Sequence, residues 1–352
     1  MQLLIGKTHL TKALTAIGKV IESRNTMPIL THFRLDATPT GLKITGTDLD
    51  IEATTFVETD VITPGAVCVD AKLLSDIVRK AGGDISLTLD NDQLVVKSGR
   101  SRFKLATLPV DDFPSFPESK YDAEFELDLA ALVEPVRFAI STEETRYYLG
   151  GVYFVSDGAT HCAAVATDGH RLARHCGPEL PVFAGIIIPR KAVGLLPDGA
   201  CSVSVSSSRI RIDGDGMVII SKLIDGTFPD YARVIPTGNE RLVTIDKDAM
   251  MRAADRVASI SSERGRAVKL SIGNEAVTLA ARSEVGTAED EVAATYSGEP
   301  MDIGFNSKYL ADALAVFADG PVTLALADGM SPGLLTGSNA GLDVVLMPMR
   351  VG

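Results

Sequence analysis

The sequence predicts an α+β fold of three repeated domains, each with two helices packed on antiparallel sheet. Three observations support this prediction. One set of three windows aligns along the chain without a gap, and a second set of three with its own shared pattern alternates with the first. The remaining segments alternate between apolar and polar residues and are bounded by turn signals, as short antiparallel strands are.

The windows of the first set each begin as a strand and continue as a helix. They are QLLIGKTHLTKALTAIGKVIESR (2–24), EFELDLAALVEPVRFAISTEETR (124–146) and LVTIDKDAMMRAADRVASISSER (242–264). Their first residues alternate as in a half-buried strand, and later apolar residues follow helical spacing, as Leu10, Leu14 and Ile17 do. Pro135 interrupts the second of these helices and predicts a kink there. Each window ends on an arginine, namely Arg24, Arg146 or Arg264.

The windows of the second set predict the other helix of each domain. They are VDAKLLSDIVRKAGGDISLTL (69–89), IPRKAVGLLPDGACSVSV (188–205) and FNSKYLADALAVFADGPVTLAL (305–326). Each has a lysine at the start of the helix, then a glycine and an alternating strand; the lysines are Lys72, Lys191 and Lys308. Pro197 and Gly199 shorten the second of these helices.

The repeat length of about 120 residues is too long for a solenoid unit, so each repeat is a domain. The predicted domains are 1–118, 119–240 and 241–352, with boundaries after the related stretches DDFPSFP and GTFPDYARVIP.

Composition predicts a cytoplasmic protein, and no cofactor is expected. The four cysteines show no CxxC and no disulfide-framework spacing, which fits a reducing compartment. No apolar run approaches the roughly 20 residues that span a bilayer, so no membrane partner is expected. The start of the chain, MQLLIGKTHL, lacks the features of a signal peptide.

The net charge of −12 argues against nucleic acid only if the positive charge is evenly spread, and it is not. In the first window, Lys7, Lys12, Lys19 and Arg24 face a single acid, Glu22. The predicted helices together are mildly basic and the remaining chain is strongly acidic, although a solvated face would show the same pattern. A lysine at a helix start opposes the macrodipole, which suggests compensation from outside the helix. Because these helices hold almost no aromatic residues, their lysines and arginines suit phosphate contact rather than base stacking.

The stretch HCAAVATDGHRLARHC (161–176) allows two interpretations, a metal site or a hairpin. Strands 163–167 and 171–175 would flank a tight Asp168-Gly169 turn, and the earlier repeat has Thr47-Asp48 at the matching position. Strand alternation puts neighbouring His and Cys residues on opposite faces, so they cannot all converge on one zinc ion. The hairpin is favoured, and no metal is expected.

Seven motifs along the whole chain carry a family resemblance. They are TMPIL (26–30), GTDLDIE (46–52), SGRSRFKLATLPVDDFP (98–114), RYYLGGVYF (146–154), ATDGHRLA (166–173), SKLIDGTFPDYARVIP (221–236) and VLMPMRV (345–351). In this order they resemble the signatures of the bacterial DNA polymerase III beta subunit, the DNA sliding clamp. The resemblance implies the DNA clamp fold. Two subunits then join head to tail in a closed ring, with helices lining the hole.

The resemblance also implies a function and a set of partners. The family acts as a processivity factor without catalytic activity, which encircles double-stranded DNA irrespective of sequence. Its expected partners are the DNA polymerase III alpha subunit and other polymerases, which bind through clamp-binding peptides, a clamp loader, and a second copy of the chain. The sequence leaves two rival functions to consider. An enzyme is disfavoured because the chain has no P-loop, GxGxxG, GxSxG or HExxH motif. A scaffold that binds only proteins stays open.

Three groups of site residues follow from the resemblance and from the repeated lysines. DNA contacts are expected at Arg24, Lys72, Tyr147, Tyr148 and Lys191, with ordinary strand packing as the alternative for the tyrosines. Glu143 stands where the family can carry a neutral polar residue close to DNA. Dimer contacts are expected at Phe103, Leu105 and Ile260, with internal core as the alternative. The partner-peptide pocket is expected to contain Leu149, Thr167, Gly169, His170, Arg171, Leu172, Pro229, Arg233, Val234, Met330, Pro332, Val345, Leu346, Met347, Pro348, Met349 and Arg350.

Overall fold

The computed structural model describes residues 1–22, 25–158, 161–260 and 267–350. The chain forms two compact units. Unit 1 comprises Met1–Leu129 and Gly194–Leu223, and unit 2 comprises Ala130–Val193 and Ile224–Gly352. The middle repeat therefore contributes to both units, while the boundaries of the three predicted domains stay a prediction.

The described helices follow the two per repeat that the windows predicted. They are α1 (Lys7–Gly18), α2 (Ala71–Lys80), α3 (Leu129–Val133), α4 (Arg190–Val193), α5 (Lys247–Ala258) and α6 (Ser307–Ala315). Short 3-10 helices cover Pro28–Thr31, Val110–Asp112, Glu134–Ala139, Glu144–Leu149 and Tyr231–Arg233. None of the described helices has the length and apolar character that crossing a bilayer requires.

The middle repeat has the two weakest helices, as its sequence predicted. α3 gives way after Val133 to a 3-10 helix that contains Pro135, because proline cannot donate the backbone hydrogen bond that an α-helix needs. α4 has a single turn and ends before Gly194. The predicted shortening by Pro197 and Gly199 is confirmed, and it begins even earlier in the chain.

The strands of unit 1 form one antiparallel sheet. They are β1 (Gln2–Ile5), β2 (His32–Thr38), β3 (Gly41–Thr47), β4 (Ile51–Glu58), β5 (Asp60–Thr63), β6 (Gly65–Asp70), β7 (Ile85–Asp90), β8 (Gln93–Ser98), β9 (Ser101–Leu108) and β10 (Ala123–Leu127), then β15 (Cys201–Val205), β16 (Arg209–Gly214) and β17 (Met217–Lys222). Their order is β10-β15-β16-β17-β4-β3-β2-β6-β9-β8-β7-β1-β5. β17 of the middle repeat pairs with β4 of the first repeat.

The strands of unit 2 form a second antiparallel sheet. They are β11 (Gly151–Ser156), β12 (Cys162–Thr167), β13 (Arg171–Cys176), β14 (Phe183–Pro189), β18 (Arg241–Asp246), β19 (Ala267–Ile272), β20 (Ala276–Ser283), β21 (Gly286–Thr295), β22 (Met301–Asn306), β23 (Pro321–Leu326), β24 (Gly333–Thr336) and β25 (Leu342–Leu346). Their order is β14-β11-β12-β13-β25-β24-β23-β18-β21-β20-β19-β22. Here β25 of the last repeat pairs with β13 of the middle repeat.

The cores lie between helices and sheet. In α1, the residues with predicted helical spacing, Leu10, Leu14 and Ile17, are at most 2% exposed. α1 packs on β3 and β4, and Ile17 Cγ2 lies 2.7 Å from where a Cβ on Gly46 of β3 would stand. Burial of each such side chain stabilises the fold by about 1.5–3 kcal/mol, which explains why the helical periodicity was readable in the sequence.

A lysine joins the two helices of each outer repeat. Lys7 begins α1, and its Nζ donates to the carbonyl oxygen of Ala81, just after α2, at 2.5 Å. Lys247 begins α5, and its Nζ donates to the carbonyl of Phe317, after α6, at 3.3 Å, and to Asp319 at 2.6 Å. A cation near the carbonyl end of a helix is favourable. These contacts with the end of the second helix explain why α1 and α5 both begin with lysine.

The predicted hairpin at TDGHRL is present. β12 ends at Thr167 and β13 begins at Arg171, the same bounds at the turn as the predicted strands. Asp168 Oδ1 accepts the backbone N–H groups of His170 at 2.9 Å and Arg171 at 3.1 Å and so closes the turn. Gly169 adopts a φ of +89°, which glycine allows without strain.

Unit 1 contains the same turn between β3 and β4. Thr47 Oγ1 donates to the carbonyl of Ile51, and Asp48 Oδ1 accepts from the backbone of Asp50 and Ile51, at 2.6–2.9 Å. Leu49 occupies the position of Gly169, with a φ of 78°. The match of Thr47-Asp48 with Thr167-Asp168 that the repeats predicted therefore extends to individual hydrogen bonds.

Replacing Asp168 tests the contribution of this turn. Asp168→Ala should lower the free energy of unfolding by about 1–3 kcal/mol, because it leaves two backbone N–H groups and Arg171 without their acceptor. Asp168→Asn should cost less, since an amide oxygen can still accept from the backbone. Denaturant titration and amide exchange at His170 and Arg171 measure both effects. Equal losses in the two variants would contradict the assigned role.

Candidate peptide-binding site

A cavity of about 350 Å³ opens in unit 2 beside the TDGHRL turn. Its lining residues are Arg146, Tyr148, Leu149, Thr167, Gly169, Arg171, Leu172, Pro229, Tyr231, Val234, Val345 and Met347. Nine of these belong to the predicted pocket: Leu149, Thr167, Gly169, Arg171, Leu172, Pro229, Val234, Val345 and Met347. The structure thus brings together residues that are far apart in the chain.

Strand pairing between β13 and β25 joins the two walls of the cavity. Leu172 lies opposite Val345, and Arg171 lies opposite Leu346. Immediately after β25, the backbone N–H of Met347 donates to the carbonyl of His170 at 3.0 Å, which continues the pairing past the strand. The register of this pair places the Met347 side chain, 41% exposed, at the cavity.

The floor of the cavity is an apolar cluster. Its buried members are Leu149, Ala163, Val165, Leu172, Ile187, Phe228 and Val345. Tyr153 stacks on Phe228, with ring centroids 4.8 Å apart and planes 6° apart. Burial raises the pKa of Tyr153 and that of Tyr231 above the usual value, so both phenols stay neutral. A cavity with such a floor suits apolar ligand side chains.

Arg171 anchors the turn to its surroundings. Its Nε pairs with Asp168 at 3.0 Å, its Nη1 pairs with Asp312 of α6 at 2.6 Å, and its Nη2 donates to the carbonyl of Phe138 at 2.9 Å. The guanidinium also lies over the ring of Tyr309, 4.5 Å from the centroid. The side chain is only 9% exposed, and its charge is matched by two carboxylates. Arg171 therefore shapes the cavity wall, and its positive charge is already neutralised.

Comparison with known proteins covers the whole chain. Family models of the DNA polymerase III beta subunit match in three parts: the N-terminal domain at residues 1–117, the central domain at 126–230 and the C-terminal domain at 232–350. The chain belongs to the DNA polymerase III beta subunit family.

Curated relatives and solved structures agree with this. The beta sliding clamps of Caulobacter vibrioides and Escherichia coli are 42% and 34% identical, and each match covers 100% of both chains. A crystal structure of a DnaN sliding clamp from Bartonella birtlesii bound to griselimycin is 40% identical, with a TM-score of 0.96 over 100% of both chains. The family resemblance and the three-domain α+β clamp fold are thereby confirmed. The family is a non-catalytic processivity subunit, so the enzyme hypothesis is rejected.

Some predicted pocket residues of this beta subunit lie outside the cavity lining because their side chains are used elsewhere. His170 stacks on Tyr309, with centroids 6.0 Å apart. Arg233 is exposed and pairs with Asp230 at 2.9 Å. Leu346 is 1% exposed, because side chains alternate along β25 and Leu346 points to the face of the sheet opposite to that of Val345. These three side chains do not line the cavity, and their contact with a partner peptide stays a prediction.

The other predicted residues outside the lining follow β25 or lie in the turn before β24. Met330 and Pro332 flank a turn held by Asp328, which accepts the backbone N–H of Met330 and Ser331 at 2.7 Å. Met349 donates its backbone N–H to the carbonyl of Gly304 at 2.8 Å. Pro348 is half-buried, and Met349 and Arg350 are exposed. None of the three lines the cavity. A place in the partner-peptide pocket stays a prediction for this set: Met330, Pro332, Pro348, Met349 and Arg350.

Three lining residues were not predicted for the pocket: Arg146, Tyr148 and Tyr231. Tyr148 was assigned to DNA, and its neighbour Leu149 to the pocket. The 3-10 helix Glu144–Leu149 turns both side chains toward the cavity, whereas a strand would have separated them. The proximity of Arg146 and Tyr148 to Leu149 in RYYLGG was the available signal.

The structure locates most of the predicted DNA contacts but does not test their role. Lys72 is exposed on α2, Lys191 is half-buried on α4, and Tyr147 is 59% exposed. Tyr148 packs edge to face on Tyr147, with centroids 5.8 Å apart. The tyrosines lie in a 3-10 helix, so the strand-packing alternative is wrong. Arg24 lies outside the described residues.

The expected compensation for lysines at helix starts is local rather than external. Asp70 caps α2 beside Lys72, with its side chain accepting from the backbone of Leu73 at 2.7 Å. In α6, Lys308 pairs with Asp312 at 2.6 Å. An acid in or before the first turns offsets the cation, so the helix needs no external anion for its stability.

The predicted dimer residues differ in exposure. Phe103 on β9 is 40% exposed, whereas Leu105 on the same strand is 5% exposed and lies opposite the buried Leu94. For Leu105, the internal-core alternative describes its packing within unit 1. Ile260 is half-buried after α5. Phe103 is therefore the apolar side chain of β9 that a second subunit could reach.

The His/Cys stretch forms no metal centre within the described ranges, where no group of three or more His, Cys, Asp or Glu residues could hold an ion. Burial raises the pKa of the Cys162 thiol to about 11, which disfavours the thiolate that a metal requires. His175 Nδ1 is 2.9 Å from the carbonyl oxygen of Leu132, so its ring contacts the backbone of α3.

A pH titration tests the contact between Arg171 and α6. Burial acts to raise the pKa of Asp312, but hydrogen bonds from Lys308 and Arg171 outweigh it and hold the pKa below the usual 3.8. A lowered folded pKa stabilises the protein above the unfolded value, and this contribution is lost as pH falls through the folded value. Asp312→Asn should therefore cost about 2 kcal/mol near neutral pH, and the difference from wild type should shrink below about pH 4.

Denaturant titrations across this pH range measure the difference. Asp230→Asn is the control, because its ion pair with Arg233 is exposed on both sides and should contribute at most about 1 kcal/mol. A cost of Asp312→Asn that stays constant with pH would contradict the assignment.

Proposed function

We propose that two copies of this beta subunit close head to tail around duplex DNA, and that polymerase-derived peptides bind the cavity beside the TDGHRL turn. The sliding-clamp role follows from the family; the proposal concerns how this chain performs it. The DNA polymerase III alpha subunit, other polymerases and a clamp loader are the proposed partners. A cytoplasmic location is part of the proposal and is favoured by four free cysteines.

The observation that carries the ring is a strand junction that occurs twice within the chain. Five residue pairs join β4 to β17, from Ile51–Ser221 to Thr55–Met217. Five join β13 to β25, from Arg171–Leu346 to His175–Leu342. In both junctions, the strand that follows a TD turn pairs with the last strand of the next repeat. Since Ile51 and Arg171 occupy the same place in their turns, the two junctions share one register.

Among the described residues, two strands in corresponding positions have no such partner, namely β9 and β21. β9 is the last strand of the first repeat, and its Ser101–Ala106 segment pairs with β8 alone. β21 follows β20 in the last repeat, and its Gly286–Ala293 segment pairs with β20 alone. Pairing β9 of one copy with β21 of another would make the third junction and remove two exposed edges. A head-to-tail contact leaves one free edge at each end of an open assembly, so every edge is paired only when the copies form a closed ring.

The two free edges carry opposite charge. Arg100, Arg102 and Lys104 are exposed on or beside β9, and Glu289 and Glu291 are exposed on β21. Complementary charge speeds association and disfavours pairing of like edges. It supports a β9–β21 contact over pairing of β9 with a second β9.

Phe103→Glu should convert the dimer into folded monomers, because a charge would replace the apolar side chain at the proposed contact. Sedimentation velocity and circular dichroism measure assembly and folding. Phe56→Glu is the matched control, since Phe56 is 43% exposed but lies on β4, away from the β9 edge.

The same variants test encirclement. After loading by a clamp loader with ATP, the wild type and Phe56→Glu should stay on nicked circular DNA in high salt and leave when the DNA is linearised. Direct phosphate contacts alone would be weakened by salt on both substrates. An unchanged Phe103→Glu dimer would refute the assigned contact. Parallel loss from circular and linear DNA would refute encirclement and favour the protein-only scaffold.

Met347→Ala should weaken binding of a polymerase-derived peptide by roughly tenfold, because it removes an apolar side chain that the peptide would bury. Fluorescence anisotropy with a labelled peptide measures the affinity. Met27→Ala is the matched control, with a similar exposure of 46% but a place in unit 1, outside the cavity and the predicted pocket. Equal effects of the two changes would mean that the peptide binds elsewhere.

A further inference from the structure

We propose that Arg146 selects partner peptides that carry a carboxylate beside their apolar residues, and that Glu143 holds this arginine until such a peptide binds. The inference rests on the proposed use of the cavity as a peptide site. It adds the chemistry that distinguishes one peptide from another.

The charge of the cavity lining differs from that of the chain as a whole. The chain has a net charge of −12. The lining residues include two arginines, Arg146 and Arg171, and no carboxylate. An apolar cavity with cations at its wall is suited to a ligand that combines apolar and acidic groups.

The two arginines differ in how their charge is satisfied. Arg171 is 9% exposed and pairs with Asp168 and Asp312 inside the protein. It has no need of a further anion. Arg146 is 46% exposed and pairs with Glu143, which is itself 50% exposed, between Nε and Oε2 at 3.2 Å. An ion pair this exposed is weak, so a ligand carboxylate can exchange with Glu143 at little cost.

Local structure keeps Arg146 at the cavity. It lies in the 3-10 helix Glu144–Leu149, which also supplies Tyr148 and Leu149 to the lining, and its φ of −112° and ψ of 50° depart from helical values. Its Nη1 lies 2.7 Å from where a Cβ on Gly169 would stand, so the guanidinium rests against the turn. The glycine at this position therefore gives the arginine its space.

The geometry leaves a recognition edge for a carboxylate. The contact with Glu143 uses Nε, and the two Nη groups can approach a second carboxylate as a pair of donors. A peptide whose apolar side chains fill the cavity would bring its neighbouring residues within reach of these donors. The negative charge of Glu143 would repel such a carboxylate. Glu143 therefore orients Arg146 and also lowers the affinity for acidic peptides.

The test uses the full chain and synthetic peptides. A labelled polymerase-derived peptide is prepared in a series with aspartate scanned through each position, and each member has a twin with asparagine at that position. For the wild type, we expect one position at which aspartate binds about three- to fivefold tighter than asparagine at low salt. The preference should decrease in high salt, because the contact is exposed.

Variants assign the preference to its residues. Arg146→Gln should remove the preference for aspartate. Glu143→Gln should enlarge the preference by about two- to threefold, because a competing carboxylate is gone. Arg137→Gln is the control, since Arg137 has the same spacing to its partner Glu134 and a similar exposure of 48% but is outside the cavity lining, and it should leave the preference as it is.

Several outcomes would overturn the inference. They are a wild type that prefers aspartate at no position, a preference that persists in Arg146→Gln, and an equal loss in Arg137→Gln. If the peptide preference is absent and Arg146→Gln instead loses DNA retention, Arg146 contacts phosphate. If Met347→Ala leaves binding of both twins unchanged, the proposed peptide site itself has failed. Binding that responds to Met347→Ala but not to Arg146→Gln retains the peptide site and rejects only the selection by Arg146.

Discussion

Five antiparallel residue pairs between β13 and β25 hold the two halves of the cavity in register. A slip by one residue would turn every side chain of β25 to the opposite face. Val345 would leave the apolar floor, and Leu346, now 1% exposed in the core, would take its place at the cavity. The contact of Met347 with the carbonyl of His170 depends on the same register. Two short segments from distant parts of the chain thus become one site through backbone pairing, and the side chains contribute specificity afterwards.

The same junction in unit 1 shows that the register alone does not make a peptide site. There the residue after the last strand pair is Lys222, at the place of Met347, and its Nζ pairs with Asp50 at 3.0 Å. Leu49, at the place of Gly169, carries a side chain where the second copy of the turn leaves room for Arg146. A polar contact therefore occupies the junction in unit 1, and an apolar, arginine-lined cavity forms in unit 2. Small changes on a repeated backbone have given the two copies different chemistry.

Sequence reasoning found the features that depend on periodicity and repetition. Helical spacing located α1, and the aligned windows predicted the matching turns at Thr47-Asp48 and Thr167-Asp168. It does not reach contacts between distant parts of the chain. Nothing in the local pattern shows that His170 would stack on Tyr309. Nor does an apolar, aromatic stretch before a strand reveal the 3-10 helix that places Tyr148 at the cavity. Such contacts depend on tertiary packing.

The cavity wall is also tied to a helix start through one carboxylate. Asp312 Oδ2 lies 2.6 Å from Lys308 of α6 and 2.6 Å from Arg171 of the turn. Lys308 belongs to the repeated lysines that suit phosphate contact, while Arg171 lines the peptide cavity. Because the two cations share one acceptor, Asp312 joins the first turn of α6 to the turn that borders the peptide cavity. Arg171 also reaches Asp168 and the carbonyl of Phe138, so one buried guanidinium fixes the cavity wall to separate segments of unit 2.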